Sequence, residues 1–390
     1  MAAGVTVTVA AAPAGRVLTV AKSGGQYSTI QAAADASRPG DTVLISAGTY
    51  VESLRPRSGA EGEVITYRAE EGARVVLDGE KRLSSGDGLL NLDGRSWLRF
   101  DGITITRSPT HGVYGYEASN VEFVGCEVSS SSDGGLVLLG ASDVLVDGCD
   151  VHHNNDEGTS ASHEAVTMGE GTTRFVVRNS RVHENGEEGI DAKYNDEAAG
   201  KIHDNLVYDN RGPNIYVDSS SDVEVYNNVS YGATAETKAG IAIAVEDWSD
   251  SRQATDIAIY NNVSYGNAGG GISFWKESSG TIARITIVNN TLVDNPEAAL
   301  VGADEVTGPG SIVRNNLFNG NDPGIGGSFV ADTNLTADPL FVDRESGDYR
   351  LLPDSPAIDA ANPTGAPTFD CDNTSRPTGA GPDIGAYEAA

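Results

Sequence analysis

Three carboxylates and one ammonium group fall within the segment from Glu187 to Lys193, and this grouping is the first place to look for catalysis. Carboxylates and amines are side chains that act as general acids and bases in enzymes. The alternation of apolar and polar residues from Ile190 to Lys193 is typical of a β-strand, in which successive side chains face opposite sides. We therefore predict that Asp191 and Lys193 project from the outer face of a sheet.

Strands of this kind recur along the middle of the chain, each followed by a polar turn, a second short strand and a corner. The recurring strands begin at Gly112, Gly135, Ala165, Gly189, Asn214, Gly240 and Gly271. The corners carry Cys126, Cys149, Ser180, Asn205, Asn228, Asn262, Asn290 and Asn316, at spacings of 23 to 34 residues. A repeat of this length, with Gly- and Asn-rich turns and no helical heptads, predicts a parallel β-solenoid. We expect the corner asparagines to form a hydrogen-bonded column along the stack.

Stacked coils place equivalent residues about 4.8 Å apart, so residues distant in sequence share one outer surface. Asp191 is expected beside Tyr216, and Lys193 beside Asp218, with which it could form an ion pair instead of acting in catalysis. Further groove residues are expected in the adjoining turns and coils: His163, Glu170, Tyr194, Glu246, Trp248, Trp275 and Lys276. Exposed aromatic rings beside carboxylates suit a sugar, which presents an apolar face and hydroxyl groups. The pattern therefore predicts an external groove that binds a polysaccharide.

The two ends of the chain are predicted to close the solenoid. The segment from Tyr27 to Ala34 has the pattern of a capped amphipathic helix, and a strand follows from Asp41 to Ser46. We expect residues 1–50 to form an N-terminal cap, residues 51–330 the solenoid with its groove, and residues 331–390 a C-terminal cap. Because an elongated repeat can be one continuous unit, 390 residues are compatible with a single structural domain.

The amino-acid composition limits the binding partners and the cellular location that we expect for the protein. A formal net charge of -30 opposes binding to nucleic acid or to an anionic membrane surface, and no apolar stretch is long enough to span a bilayer. Residues 1–14 lack the basic region of a signal peptide, and we expect a mature, secreted, monomeric protein of bacterial type. Three cysteines make no disulfide framework, and Cys126 and Cys149 either stack as thiols or form a bridge. The histidines show no metal-binding spacing.

Motifs at both ends resemble a known superfamily. The segments Tyr27–Ala34, Pro39–Val43 and Ala47–Glu52 resemble the N-terminal part of pectin-lyase-like right-handed parallel β-helices. The segments Ala337–Phe341 and Pro382–Glu388 are similar to the tails of secreted bacterial β-helix proteins. The resemblance covers nearly the whole chain. It implies an all-β fold, a right-handed parallel β-helix with an N-terminal capping helix and an irregular C-terminal cap.

A second resemblance concerns the acidic segment itself. Residues 185–191 resemble the Asp-Asp-Gly-x-Asp segment of polysaccharide lyase family nine, whose carboxylates hold Ca²⁺ against a uronate. Carried over by position, this resemblance implies that Glu187, Glu188 and Asp191 are Ca²⁺ ligands. Glu164, one coil earlier at the place of Glu188, is implied as a fourth ligand. Glutamate replaces aspartate at two positions, and the family's lysine on a later coil corresponds here to a tyrosine, Tyr216.

Two reactions fit these residues. In β-elimination on a uronate-containing glycan, Ca²⁺ acidifies the proton beside the carboxylate, and Lys193 or Tyr216 removes it. The flanking acids oppose this role for Lys193 because they favour its charged form. In glycoside hydrolysis, Asp191 and Asp218 act as acid and base about 8 Å apart, with Glu246 as the alternative partner. We expect elimination, with hydrolysis of a neutral polysaccharide, uronate epimerisation and non-catalytic glycan binding as alternatives.

Overall fold

A computed structural model describes residues 15–156, 162–320 and 322–389. The predicted right-handed parallel β-helix is confirmed, with three parallel sheets running along its length. The first sheet contains Val17–Val20, Thr42–Ile45, Ile65–Ala69, Ser96–Asp101, Ser119–Val124, Ser142–Asp147, Thr173–Arg178, Gly200–His203, Val223–Tyr226, Gln253–Tyr260, Thr281–Val288, Ile312–Arg314 and Val330–Asp332. The second sheet contains Gly48–Tyr50, Val75–Asp78, Ile103–Thr106, Glu127–Ser129, Asp150–His152, Arg181–His183, Leu206–Tyr208, Val229–Tyr231, Val263–Tyr265, Thr291–Val293 and Leu317–Asn319. The third sheet contains Gly88–Asn91, His111–Tyr116, Leu136–Leu139, Val166–Gly169, Ile190–Lys193, Ile215–Asp218, Ile241–Val245, Ile272–Lys276 and Leu300–Val301.

Alternation along the third sheet separates the lumen from the outer surface, as the sequence predicts. Ile190 pairs with Ile215 on the next coil, and both belong to the continuous buried core inside the helix. Asp191 pairs with Tyr216, and Lys193 pairs with Asp218, on the opposite side of the same strands. The acidic segment therefore lies on the outer surface of the third sheet.

The predicted asparagine column is confirmed at the corners. The amide nitrogen of Asn228 donates to the side-chain oxygen of Asn262 at 3.0 Å, and Asn262 donates in turn to Asn290 at 3.0 Å. The column continues through Asn316 to Asn334. Each amide also donates to a backbone carbonyl, so the buried corners have their polar groups satisfied.

The N-terminal helix spans Ile30–Ala36 and is capped by Thr29, whose hydroxyl accepts a hydrogen bond from the amide of Ala32. Ile30, Ala33 and Ala34 are buried and join the core. None of the described helices is long and apolar enough to cross a bilayer.

The C-terminal segment packs on the outside of the last coils. Ile384 and Ala386 contact Val293 and Leu317 in a cluster separate from the lumen. The antiparallel strands Phe341–Asp343 and Asp348–Leu351 and the 3-10 turn Arg344–Ser346 belong to this segment, whereas the 3-10 turn Ala303–Glu305 lies within the solenoid.

Cys126 and Cys149 are buried free thiols on adjacent coils. Each thiol lies near a backbone carbonyl, that of Phe100 for Cys126 and that of Phe123 for Cys149. Of the two arrangements that the sequence allows, stacking is the one observed.

Candidate active site

Lys193 forms a buried ion pair with a glutamate on the preceding coil. Its ammonium lies 2.7 Å from Oε1 of Glu164, and the two side chains are 18% and 8% exposed. The other oxygen of Glu164 accepts a hydrogen bond from the Thr167 hydroxyl at 2.9 Å. The predicted alternative role of Lys193, an ion pair with Asp218, is therefore wrong. Glu164 pairs with Lys193 instead, because it lies in the turn before the strand Val166–Gly169 and its carboxylate reaches the Lys193 ammonium on the next coil.

This ion pair keeps Lys193 protonated. Although burial opposes the charge, the carboxylates of Glu164 and Asp191 hold the pKa of Lys193 above its ordinary value. The same contact lowers the pKa of Glu164 against the effect of its burial. In this arrangement Lys193 is an ammonium ion, which can bind an anionic group directly.

Asp191 lies on the outer surface of the sheet but is completely covered by its neighbours. Neither of its carboxylate oxygens has a hydrogen-bond partner within residues 15–156, 162–320 and 322–389. Burial, reinforced by the negative charge of Glu164, raises the pKa of Asp191 well above its ordinary value. A carboxyl group in this situation takes up a proton or a cation, because an unpaired buried charge is costly.

The other two predicted ligands have cationic partners that sequence reasoning missed. The Arg211 guanidinium lies 3.0 Å from Glu187, and the Lys238 ammonium lies 3.8 Å from Glu188. Burial and the charge of Glu164 raise the pKa of Glu188 to about 7. Strand register could have indicated the Lys238 contact. Lys238 stands three residues before Ile241, as Glu187 stands three residues before Ile190, and these two isoleucines are equivalent positions two coils apart.

The four predicted ligands are neighbours but do not form a compact cage. They do not bring three carboxylate oxygens within 4.8 Å of one another. Glu164 and Glu188 nevertheless both raise the pKa of Asp191, so the three groups act on each other. Glu187 is engaged by Arg211 at the edge of this cluster.

Glu246 accepts hydrogen bonds from two tyrosine hydroxyls. Tyr194 donates to Oε2 at 2.7 Å and Tyr216 donates to Oε1 at 3.0 Å. Tyr216 is only 4% exposed, and burial together with Asp218 raises its pKa well above the ordinary value. Its ring packs against Ala242, Ala244 and Trp275. Tyr216 is therefore a covered hydroxyl donor and not an open base.

Asp218 is completely buried next to this network. One of its oxygens accepts a hydrogen bond from the Ser219 hydroxyl at 2.9 Å, and that hydroxyl accepts from the backbone amide of Glu246. Burial and the Glu246 carboxylate raise the pKa of Asp218 to about 9. This shift favours the protonated form of Asp218 at neutral pH.

A pocket of about 560 Å³ opens beside these groups. Five predicted site residues line it: His163, Glu170, Lys193, Tyr194 and Trp248. Trp248 is 82% exposed and offers a free indole face. Asp191, Asp218, Tyr216, Glu246, Trp275 and Lys276 are absent from its lining.

Trp275 and Lys276 each contact a residue that is not part of the pocket lining. The Trp275 ring stacks on Tyr216 with ring centroids 6.5 Å apart. The Lys276 ammonium lies 3.1 Å from Glu305 and is 15% exposed. Lys193 is consequently the ammonium group that the pocket presents among its lining residues.

The family assignment follows from a match over most of the chain. Residues 10–305 match the model of the Pel9A-like right-handed β-helix region. The chain belongs to this family. No curated protein sequence matches it at a significant level.

Solved structures resemble this Pel9A-like chain over most of its length. Pectate lyase Pel9A superposes with a TM-score of 0.60 at 17% identity, covering 97% of each chain. An alginate lyase from Paenibacillus sp. str. FPU-7 gives 0.52 at 16% identity, covering 83% of this chain and 99% of that one. The A-module of the Azotobacter vinelandii mannuronan C-5 epimerase AlgE4 gives 0.50 at 16%, covering 79% and 95%. At these identities the likeness concerns the fold.

Proposed function

We propose that this Pel9A-like protein cleaves a uronate-containing polysaccharide by β-elimination, assisted by Ca²⁺, in the pocket lined by Lys193. The observation that carries the proposal is the position of the Lys193 ammonium. Lys193 lines the pocket, two residues along the strand from Asp191, whose carboxylate oxygens lack hydrogen-bond partners among the described residues. Structurally similar proteins are named pectate lyase and alginate lyase, and both names refer to polymers of uronic acids.

The carboxylates around Asp191 fit a Ca²⁺ ion in their chemistry. Ca²⁺ takes oxygen ligands, and Asp191 offers two buried oxygens that lack partners among the described residues. Asp191, Glu188 and Glu164 would hold the ion, with Glu164 released by Lys193, and Glu187 would join them by releasing Arg211. When bound, Ca²⁺ would neutralise the substrate carboxylate and acidify the proton on the adjacent carbon.

Lys193 acts as the base in this proposal. Its resting ammonium first attracts the uronate into the pocket, while the exposed Trp248 indole supports the apolar face of a sugar ring. Lys193 acts as a base only after its ammonium has released a proton to water, and this requires that the negative charge of Glu164 and Asp191 be compensated, because those carboxylates retain the proton. Nζ then takes the proton from the carbon beside the carboxylate. The neighbouring carbon–oxygen bond breaks, a carbon–carbon double bond forms, and the released oxygen takes up a proton.

The deciding experiment measures two products. The protein is incubated with uronate and neutral polysaccharides, with and without a chelator, while absorbance near 235 nm and reducing ends are followed. Unsaturated products that disappear on chelation support the proposal. Lys193→Met should lower the rate by about 10²–10⁴-fold. The control Lys201→Met removes a lysine on the first sheet, 3.0 Å from Glu224, and should keep full activity.

Hydrolysis is the second candidate, favoured by the carboxyl pair of Asp218 and Glu246. A neutral acid beside a carboxylate is the arrangement expected for a general acid and its partner. In that case reducing ends appear without absorbance near 235 nm. Asp218→Asn then abolishes activity while Lys193→Met retains it, the reverse of the pattern for elimination.

We also propose that the protein acts outside the cell as a monomer. A polymeric substrate is met there, and the acidic surface favours solubility. Its own negative charge would repel a polyuronate, and bound Ca²⁺ resolves that conflict. Fractionation of the producing culture and size-exclusion chromatography test the two statements.

A further inference from the structure

Two histidines and one aspartate from three successive coils meet at the edge of the third sheet. His111 begins the strand His111–Tyr116, and Asp133 and His163 lie in the turns before the next two strands. Each residue offers one ligand atom, and the three atoms lie within 4.8 Å of one another. Their sequence separation follows the coil length, so no short motif reveals them.

His111 is buried with an unused ring nitrogen. The residue is 5% exposed, and Nδ1 has no hydrogen-bond partner in the part of the chain that the structure describes. Nδ1 lies 3.7 Å from Oδ1 of Asp133, which is too long for a hydrogen bond. The ring is held in place by stacking on Tyr114. Burial lowers the pKa of His111, which favours the neutral, metal-binding imidazole.

Asp133 is fixed by hydrogen bonds from the turns around it. Oδ1 accepts from the backbone amides of Gly134 at 2.9 Å, Ser162 at 2.8 Å and His163 at 3.1 Å. Oδ2 accepts from the Ser162 hydroxyl at 2.6 Å. Although burial opposes it, this set of donors keeps the pKa of Asp133 below its ordinary value. Hydrogen bonds of this kind orient a metal-ligating carboxylate.

His163 completes the group from the pocket side. Its ring stands edge-on to His111, with centroids 5.2 Å apart, and its Nδ1 lies 3.0 Å from the Ser162 hydroxyl. A ligating histidine commonly uses one ring nitrogen for the metal and the other for such a bond. His163 also lines the pocket.

We propose that His111, Asp133 and His163 form a binding site for a transition-metal ion of the Zn²⁺ type. Two imidazoles with one carboxylate suit Zn²⁺, Co²⁺ or Ni²⁺, whereas Ca²⁺ requires oxygen ligands. The site is therefore distinct in chemistry from the carboxylates around Asp191. Three protein ligands leave a coordination position for water or another small ligand. The bound ion ties three coils together at the wall of the pocket, whichever reaction the pocket performs.

The test uses the full-length, tag-free protein and two metals. Co²⁺ is followed by its visible absorption, and Zn²⁺ by equilibrium dialysis and by the rise in Tm. We expect one equivalent of either metal and a higher Tm at saturating metal. His163→Gln and His111→Gln should each weaken binding by more than the 10- to 100-fold typical of losing an outer-shell partner. Ca²⁺ at the same concentration should leave the Co²⁺ spectrum unchanged.

Two controls separate this site from other histidines and from misfolding. His152→Gln alters the stacked pair His152 and His183 on the second sheet and should bind metal as the wild type does. The Tm of each variant without metal shows whether it folds, and His163→Gln, half-buried, decides the matter if His111→Gln does not fold. No binding by the wild type, or full binding by folded His163→Gln, overturns the proposal.

Discussion

Replacing Lys193 by methionine should lower the free energy of unfolding, because it breaks the ion pair with Glu164. The change leaves the Glu164 carboxylate, 8% exposed, with the Thr167 hydroxyl as its side-chain partner and with Asp191 nearby. Breaking a buried ion pair from one side costs about 3–5 kcal/mol. Because Lys193 is itself 18% exposed, we expect the lower end, about 3 kcal/mol at pH 8.

That cost should shrink as the pH falls. In the wild type, Lys193 outweighs burial and lowers the pKa of Glu164, so this group stabilises the fold above its unfolded pKa and loses that contribution in acid. In Lys193→Met burial dominates and the folded pKa rises above the unfolded one, so protonation relieves the penalty. The cost of the substitution should therefore be smaller at pH 5 than at pH 8, by up to about 1.4 kcal/mol for each unit by which the variant raises the pKa of Glu164.

Urea denaturation at pH 5 and pH 8 measures both values. The double variant Lys193→Met/Glu164→Gln removes the stranded charge and should recover about 2 kcal/mol of the loss at pH 8. Lys201→Met, which breaks a largely exposed pair with Glu224, should cost less than about 1 kcal/mol at either pH. A cost for Lys193→Met that is equal at the two pH values, or purely additive effects in the double variant, would refute the reasoning.

Three further predictions concern the fold, the buried acid and the pocket. Asn262→Ala should lower the free energy of unfolding by about 2–4 kcal/mol, because the Asn228 amide and the Val225 carbonyl lose buried partners; Asn334→Ala at the end of the column should cost less than half as much. The raised pKa of Asp218 makes wild-type stability fall as pH rises from 5 through about 9, and Asp218→Asn should remove at least about 1.4 kcal/mol of that loss in urea titrations. Trp248→Ala should leave Tm unchanged, because the side chain is 82% exposed, and should raise KM about tenfold; an unchanged KM would remove Trp248 from the substrate site.

The sequence predicts the fold well because the fold is periodic. Alternation at Ile190 and Asp191 and the recurring corner asparagines depend on backbone geometry that repeats from coil to coil. Register then places Asp191 beside Tyr216 without knowledge of any side-chain conformation.

The site was harder to predict because long side chains choose partners across coils. Lys193 reaches back to Glu164 and not sideways to Asp218, and Arg211 comes from a turn to engage Glu187. The burial of outward-facing residues could not be predicted from alternation either, because a residue on the outer face of a sheet can still be covered by its neighbours, as Asp218 is. The meeting of His111 with His163 depends on the shapes of two turns, which periodicity does not specify.

The asparagine column has a polarity that constrains how such a molecule can change in length. Each side-chain amide from Asn205 to Asn316 donates one hydrogen bond to the asparagine of the next coil toward the C-terminus, and Asn334 is the last acceptor. A duplicated coil that contains the corner asparagine extends the column with one more hydrogen bond. A partial coil without that asparagine leaves the amide of the preceding coil without its side-chain acceptor. Lengthening or shortening of the protein, in evolution or by engineering, should therefore succeed in whole-coil steps.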